Sequence, residues 1–247
     1  MKRLIVANWK MNPQSVGEAR KIASQIEHGL LAIKRETIEV AIAAPFIFLP
    51  MVKQAVHFVR LGSQNISAHS SGAYTGEVSA KQLLEFRVSL ALVGHSERRA
   101  LGETDDLINK KVLIALEHKI EPVLCVGFGT KFGMSESAEK KILMAQLRLG
   151  LRDVKVRSEK FAILYEPTWA ISRGVGSGQA VAPSRAALMI KFIKSKYPQA
   201  RVLYGGSIDS KTAAGFAVED VIDGGVVGAA SLRPQDFLEI VKSFNNY

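Results

Sequence analysis

The chain contains a single cysteine, Cys125, in 247 residues, which excludes an intramolecular disulfide framework. It also lacks any long apolar run. The longest, residues 41–52 (AIAAPFIFLPMV), is broken by Pro45 and Pro50 and falls well short of the ~20 residues that cross a bilayer. The basic N-terminus is followed by a short apolar stretch that stops at Asn8, too short for a secretory signal. No low-complexity segment, sequence repeat or linker interrupts the chain. These absences point to one domain over residues 1–247, without a membrane partner, in the cytoplasm. There is no basic tail either. The net charge is +10, but the lysines and arginines are scattered in small clusters such as "SERRA", "NKK" and "KFIKSK", without interleaved aromatics. Such clusters read as solvated helix faces, so no nucleic-acid partner is expected, and a small anionic substrate accounts for the charge at least as well.

What is present is a regular alternation. Compact β-rich runs occur at residues 4–8, 38–44, 58–65, 89–94, 122–127, 161–166, 201–206 and 224–229. They are nearly continuous in apolar residues, the mark of parallel strands buried on both faces. Amphipathic stretches lie between them, at roughly 15–31, 46–56, 79–87, 104–119, 136–151, 183–196, 210–218 and 234–245. Eight strand–helix units in about 250 residues match a single-domain (β/α)8 barrel, the TIM-barrel architecture of the α/β class. A doubly wound sheet is the competing arrangement, but it usually carries a glycine fingerprint at its first strand-to-helix turn, and "VANWKMNPQS" has none.

A barrel gathers the C-terminal ends of its strands on one face. In this chain that rule collects Asn8 and Lys10 after the first strand and His95 and Glu97 after the fourth. Glu166 follows the sixth, Gly205, Gly206 and Ser207 the seventh, and Gly228 and Ala229 the eighth. Each has a plain structural reading when taken alone: a hydrogen-bonded histidine, a surface lysine, a loop-capping glutamate, tight turns. Their coincidence at strand ends on one face favours a site, with the small-residue turns after the last two strands placed for a phosphate. His28, His57, His69 and His118 have no zinc-ligand spacing, so no metal and no cofactor is expected. Cys125 reads as a buried strand residue. Residues 172–183 form the longest apparent loop on this face. Its "GVGSG" lacks the lysine of a nucleotide cradle and does not join a strand directly to a helix.

The motifs "NWKMN", "GHSERR", "YEPTWAI", "YGGS" and "DGGVVGAASL", in that order, resemble those of the triosephosphate isomerase family along essentially the whole chain. The resemblance implies interconversion of dihydroxyacetone phosphate and glyceraldehyde 3-phosphate, in glycolysis and gluconeogenesis. It implies Glu166 as base, His95 as neutral electrophile and Lys10 as fixed positive charge. Asn8 would orient Lys10 and a substrate oxygen, and Glu97 would either help position the lysine or shuttle a proton, with a structural salt bridge as its equal alternative. The phosphate would be held by backbone N–H groups of Ser172, Gly205, Gly206, Ser207, Gly228 and Ala229. Pro167 and Trp169 would hinge a lid containing Gly174, Gly176 and Gly178. "GAYTGE" (72–77) resembles the loop by which the family's subunits interlock, implying a homodimer with Thr75 at the contact.

The sequence also departs from the family. The lid "SRGVGSGQAV" looks about four residues longer, which at its glycine content raises the entropic cost of ordering it. Ser172 and Ala229 stand where the family usually has glycine, and "CVGFGT" replaces its usual "GET". Two rival readings compete. A different phosphate-handling barrel would need a metal cluster or a Schiff-base lysine at a strand end. A non-enzymatic barrel would have lost Lys10, His95 or Glu166.

Overall fold

The computed structural model of the chain describes residues 1–156, 160–171 and 181–246. Eight parallel strands close into a barrel in sequence order: β1 (Arg3–Asn8), β2 (Ile38–Ala44), β3 (Arg60–Ser63), β4 (Val88–Val93), β5 (Glu121–Val126), β6 (Ala162–Tyr165), β7 (Arg201–Tyr204) and β8 (Gly224–Val227). Closure is made by β1 pairing with β8, Leu4 opposite Gly224 through Ala7 opposite Val227. The (β/α)8 architecture expected from the alternation is the observed one.

The surrounding helices are α1 (Val16–Gly29), α2 (Leu49–Ala55), α3 (Ala80–Glu85), α4 (Ser96–Ala100), α5 (Asp105–Glu117), α6 (Glu136–Gly150), α7 (Pro183–Lys196), α8 (Ala213–Ala217) and α9 (Pro234–Asn245). Local chemistry starts them. The Ser15, Thr104 and Ser135 hydroxyls accept the N–H groups of Glu18, Leu107 and Ala138 at the first turns of α1, α5 and α6. Pro183 and Pro234 open α7 and α9, where a missing N–H costs nothing. α8 begins later than the sequence pattern indicates. The Asp209 carboxylate accepts the N–H groups of Lys211 and Thr212, at 2.9 and 2.8 Å, and folds those residues into a turn.

The period-2 alternation of the strands divides the core in two. Leu4, Val6, Ala41, Ala43, Leu90, Leu92, Val123, Cys125, Ala162, Leu164, Leu203 and Val226 fill the barrel interior. The intervening residues, such as Ile5, Ile42, Ile163 and Tyr165, join the larger layer beneath the helices. Cys125 is buried as expected, and burial together with the nearby Glu166 carboxylate pushes its thiol well up.

At the N-terminal rim the interior is ionic. Arg60 and Arg201 each pair with both Glu39 and Glu121, at 2.5–3.2 Å, a four-charge plug across β2, β3, β5 and β7. At the opposite rim the sheet stops earlier than the apolar runs do. Pairing ends at Val126, Tyr165, Tyr204 and Val227, and the residues just beyond turn inward to build the site.

Candidate active site

Strand alternation aims the principal groups. Continuing inward from Leu4 and Val6, the next residue on β1's interior face is Asn8; continuing from Ala162 and Leu164, it is Glu166. Both are buried. Asn8 Oδ1 accepts the N–H of Lys10 at 3.1 Å, and Gln64 Nε2 donates to the Lys10 carbonyl at 2.9 Å. Lys10 is held between these bonds in the left-handed region, at φ 53°. Its Nζ lies 2.7 Å from Glu97 Oε1. This contact fits both the positioning role and the plain salt bridge expected for Glu97.

His95 is the cap of α4. Its Nδ1 accepts the N–H of Glu97 at 3.3 Å, whereas Glu97 Oε2 is 3.6 Å away, beyond hydrogen-bonding length. A ring nitrogen that accepts from an amide carries no proton, so in the neutral ring the proton sits on Nε2. That nitrogen faces Glu166, 3.2 Å from Oε2. The contact is close but not aligned as a hydrogen bond, and among the described residues Oε2 is a buried oxygen without a hydrogen-bond partner. Oε1 accepts the N–H of Ser96 at 2.6 Å. Burial pushes the Glu166 carboxyl above the ordinary range, opposed by His95, the Ser96 N–H and Lys10. A carboxylate raised in this way is a stronger base than one in water.

A cavity of about 780 Å3 opens here, lined by Asn8, Lys10, Glu97, Phe128, Thr168 and Ala229 among others. Another, of about 730 Å3, lies at the opposite rim beside Lys2, Arg35, Phe58 and Arg60, away from Glu166 and His95. Among the described residues no group of histidine, cysteine and carboxylate side chains could hold a metal ion. No helix there is long and apolar enough to cross a membrane.

The turns expected to hold phosphate are on the same rim. The Gly205 N–H is committed to the Tyr165 carbonyl at 2.8 Å. A side chain at this position would press on Leu164 and on the Glu166 Cβ, at 2.8 and 3.1 Å, so Gly205 makes room for the carboxylate. Ser207 donates its N–H and its hydroxyl to the Ala170 carbonyl, at 3.1 and 2.9 Å. Gly228 and Ala229 begin the single turn after β8, where Ser231 caps the Gly228 carbonyl. Pro167 and Trp169 lie directly after Glu166; Ser172, Gly174, Gly176 and Gly178 are outside the described residues. Thr75 is exposed in a loop whose Tyr74 ring stacks on His69 at 3.7 Å.

Ser96 and Gln64 were visible in the sequence as strand-end residues, but their roles were not. One offers a backbone N–H to a carboxylate 70 positions away, and the other bonds across two loops.

A family model described as triosephosphate isomerase matches residues 3–244. A triosephosphate isomerase from Paracidovorax citrulli is 38% identical over 253 residues, covering 97% of each chain. One from Aquifex aeolicus is 38% identical over 259 residues, covering 99% of this chain and 100% of the relative. One from Clostridium botulinum is 35% identical over 247 residues, covering 96% and 98%. The chain belongs to the triosephosphate isomerase family.

Proposed function

We propose that this chain interconverts dihydroxyacetone phosphate and glyceraldehyde 3-phosphate through an enediolate, with Glu166 as base, His95 as hydrogen-bond donor and Lys10 as electrostatic stabiliser. The observation that carries the assignment is the buried Glu166 carboxylate, 3.2 Å from His95 Nε2 at the rim where Lys10 enters the cavity. Glu166 leaves the Ser96 N–H and removes a proton from the carbon beside the substrate carbonyl. The C–H electron pair becomes the enediolate double bond, and the carbonyl pair moves onto oxygen. Glu166 then returns the proton to the neighbouring carbon while the hydroxyl proton on the first carbon's oxygen passes, across His95, to the enediolate oxygen, so that the first carbon becomes the new carbonyl and the second carries the new hydroxyl. His95 donates from Nε2 to the oxygens as they become negative, in the manner of a neutral histidine electrophile. Asn8 fixes the Lys10 backbone, and Glu97 holds its Nζ.

The phosphate rests on backbone N–H groups of Gly206, Ser207, Gly228 and Ala229, with Ser172 of the lid sequence, while Gly205 keeps the space open. Ser207 exchanges the Ala170 carbonyl for a phosphate oxygen. The reaction relocates protons within one substrate and transfers no electrons to an acceptor, so this reading requires no cofactor. The enzyme serves glycolysis and gluconeogenesis in the cytoplasm and works as a homodimer joined through the loop around Thr75.

A coupled assay with glyceraldehyde 3-phosphate tests the reading. The wild-type chain turns over, and Glu166→Asp, whose carboxylate is retracted by one methylene, loses roughly a hundredfold or more in kcat. Wild-type turnover by that variant would remove Glu166 from the role of base.

A further inference from the structure

The residues immediately after Glu166 are tied to a loop that the reading above leaves unused. Sheet pairing of this segment ends with the Glu166 N–H on the Val126 carbonyl, at 2.9 Å. Pro167 has no N–H, so Thr168 is the first residue beyond the base whose amide can be anchored. It donates to Thr130 Oγ1, in the loop between β5 and α6, at 3.0 Å. The bond is returned, because Thr168 Oγ1 accepts the N–H of Gly129 at 3.0 Å. Both hydroxyls then place their single proton on one acceptor, the Gly127 carbonyl, at 2.8 Å from Thr130 and 3.1 Å from Thr168. Each threonine accepts from the opposite segment and donates to the same carbonyl, which satisfies both hydroxyls.

Gly127 completes the arrangement. It has φ +115°, and a side chain there would strike the Glu166 carbonyl oxygen at 2.6 Å and the Pro167 nitrogen at 3.3 Å. The loop backbone therefore lies directly on the Glu166–Pro167 peptide. Gln146 of α6 holds the loop from behind, accepting from the Gly127 N–H at 2.8 Å and donating to the Phe128 carbonyl at 2.7 Å. Beyond the threonines, the ring of Phe132 meets Trp169 edge-on with centroids 5.4 Å apart. Phe132 is otherwise 67% exposed.

We propose that Thr130, acting through Thr168, is a positioning residue for the Glu166 carboxylate, so that the β5–α6 loop as well as strand β6 sets where the base stands. The proposal rests on Glu166 being the base. A carboxylate displaced by about an ångström from the reacting carbon loses up to a hundredfold in rate. Thr168 is two residues along the chain from that carboxylate, and Thr130 holds it from the neighbouring loop.

Thr130→Val keeps the shape and removes the hydroxyl; Thr130→Ser keeps the hydroxyl. The expected result for Thr130→Val is a kcat lowered about ten- to a hundredfold, with KM within about threefold of wild type. The acid limb of its kcat/KM profile moves to lower pH, because a loosened Glu166 is less well shielded from water. Thr130→Ser restores kcat to within about threefold. Should Thr130→Val fail to fold, Thr168→Val removes the other hydroxyl and is judged by the same readings. Wild-type kcat and an unmoved pH profile in the folded valine variant would overturn the proposal, as would equal losses for valine and serine. If Glu166→Asp is impaired while the valine variant is not, the positioning role fails and the base survives. Full turnover by Glu166→Asp would overturn both.

Discussion

Glu166 shows how one residue trades stability for chemistry. It is almost fully buried, its Oε2 has no hydrogen bond among the described residues, and burial raises its carboxyl above the ordinary range. The folded chain therefore holds this proton more tightly than the unfolded chain does. From the usual carboxylate range near pH 4.3 up to the raised value, the folded state carries more bound protons, so this residue's contribution to stability falls as pH rises through that window. Glu166→Gln keeps an oxygen for the Ser96 N–H and removes the titration. Chemical denaturation from about pH 4 to about pH 8 should show the variant gaining stability relative to wild type as pH rises. A constant difference across that range would mean that the carboxyl is not raised. The residue types were legible at this scale: a glutamate, a histidine and a lysine at strand ends stand out in a strict alternation. The contact that parks Glu166 on Ser96 was not, because it depends on two loops meeting in space.

At the scale of elements, the helices and strands follow from local signals. The Ser15, Thr104 and Ser135 caps and the prolines opening α7 and α9 set helix starts close to where periodicity places them. Strand ends were less legible. The runs expected to reach residues 127, 166, 206 and 229 leave the sheet one or two residues sooner, because glycines continue three of the runs after pairing has stopped and Glu166-Pro167 ends the fourth. The β5–α6 loop was the least legible element. "CVGFGT" reads as a departure from the family pattern, and isolated threonines have no periodic signature, yet Thr130 and Thr168 bind each other's segments. Gly127→Ala tests this element. The substitution demands a left-handed alanine and a Cβ 2.6 Å from the Glu166 carbonyl oxygen. A loss of about 1–3 kcal/mol is expected, with Tm lowered by roughly 5 °C and kcat reduced along with it. Unchanged melting and turnover would show that the loop does not bear on that peptide.

Across the whole molecule, the barrel keeps its chemistry at one rim and an ionic plug at the other. Arg201 and Glu121 are both nearly inaccessible and bonded to each other, with Glu39 and Arg60 completing the ring. Burial pushes the Glu39 carboxyl up, but Arg201 and Arg60 outweigh it and hold the group below the ordinary range. Its share of stability is present above the usual carboxylate range and is lost as pH falls through the lowered value. Removing one charge strands the others. Glu121→Gln should cost about 3 kcal/mol or more, a fall in Tm of roughly 10 °C, while kcat at permissive temperature stays near wild type. A variant that melts like wild type would mean that the plug contributes no net stability. Nothing local signals this plug, because the single charges Glu39, Arg60, Glu121 and Arg201, at or near the starts of otherwise apolar runs, look like exposed strand ends.

The sequence by itself determined the alternation, and with it the barrel. Continuous apolar runs of strand length must be covered on both faces, and eight of them separated by amphipathic helices fit a closed ring. It also determined which chemical groups reach the rim, since strand alternation places Asn8 and Glu166 inward. Only the tertiary structure decided their relations: which nitrogen of His95 faces the carboxylate, that Lys10 pairs with Glu97, and that the base leans on the loop after β5. Those relations join positions tens of residues apart. No local pattern encodes them, because they are set by where the closed ring brings its loops together.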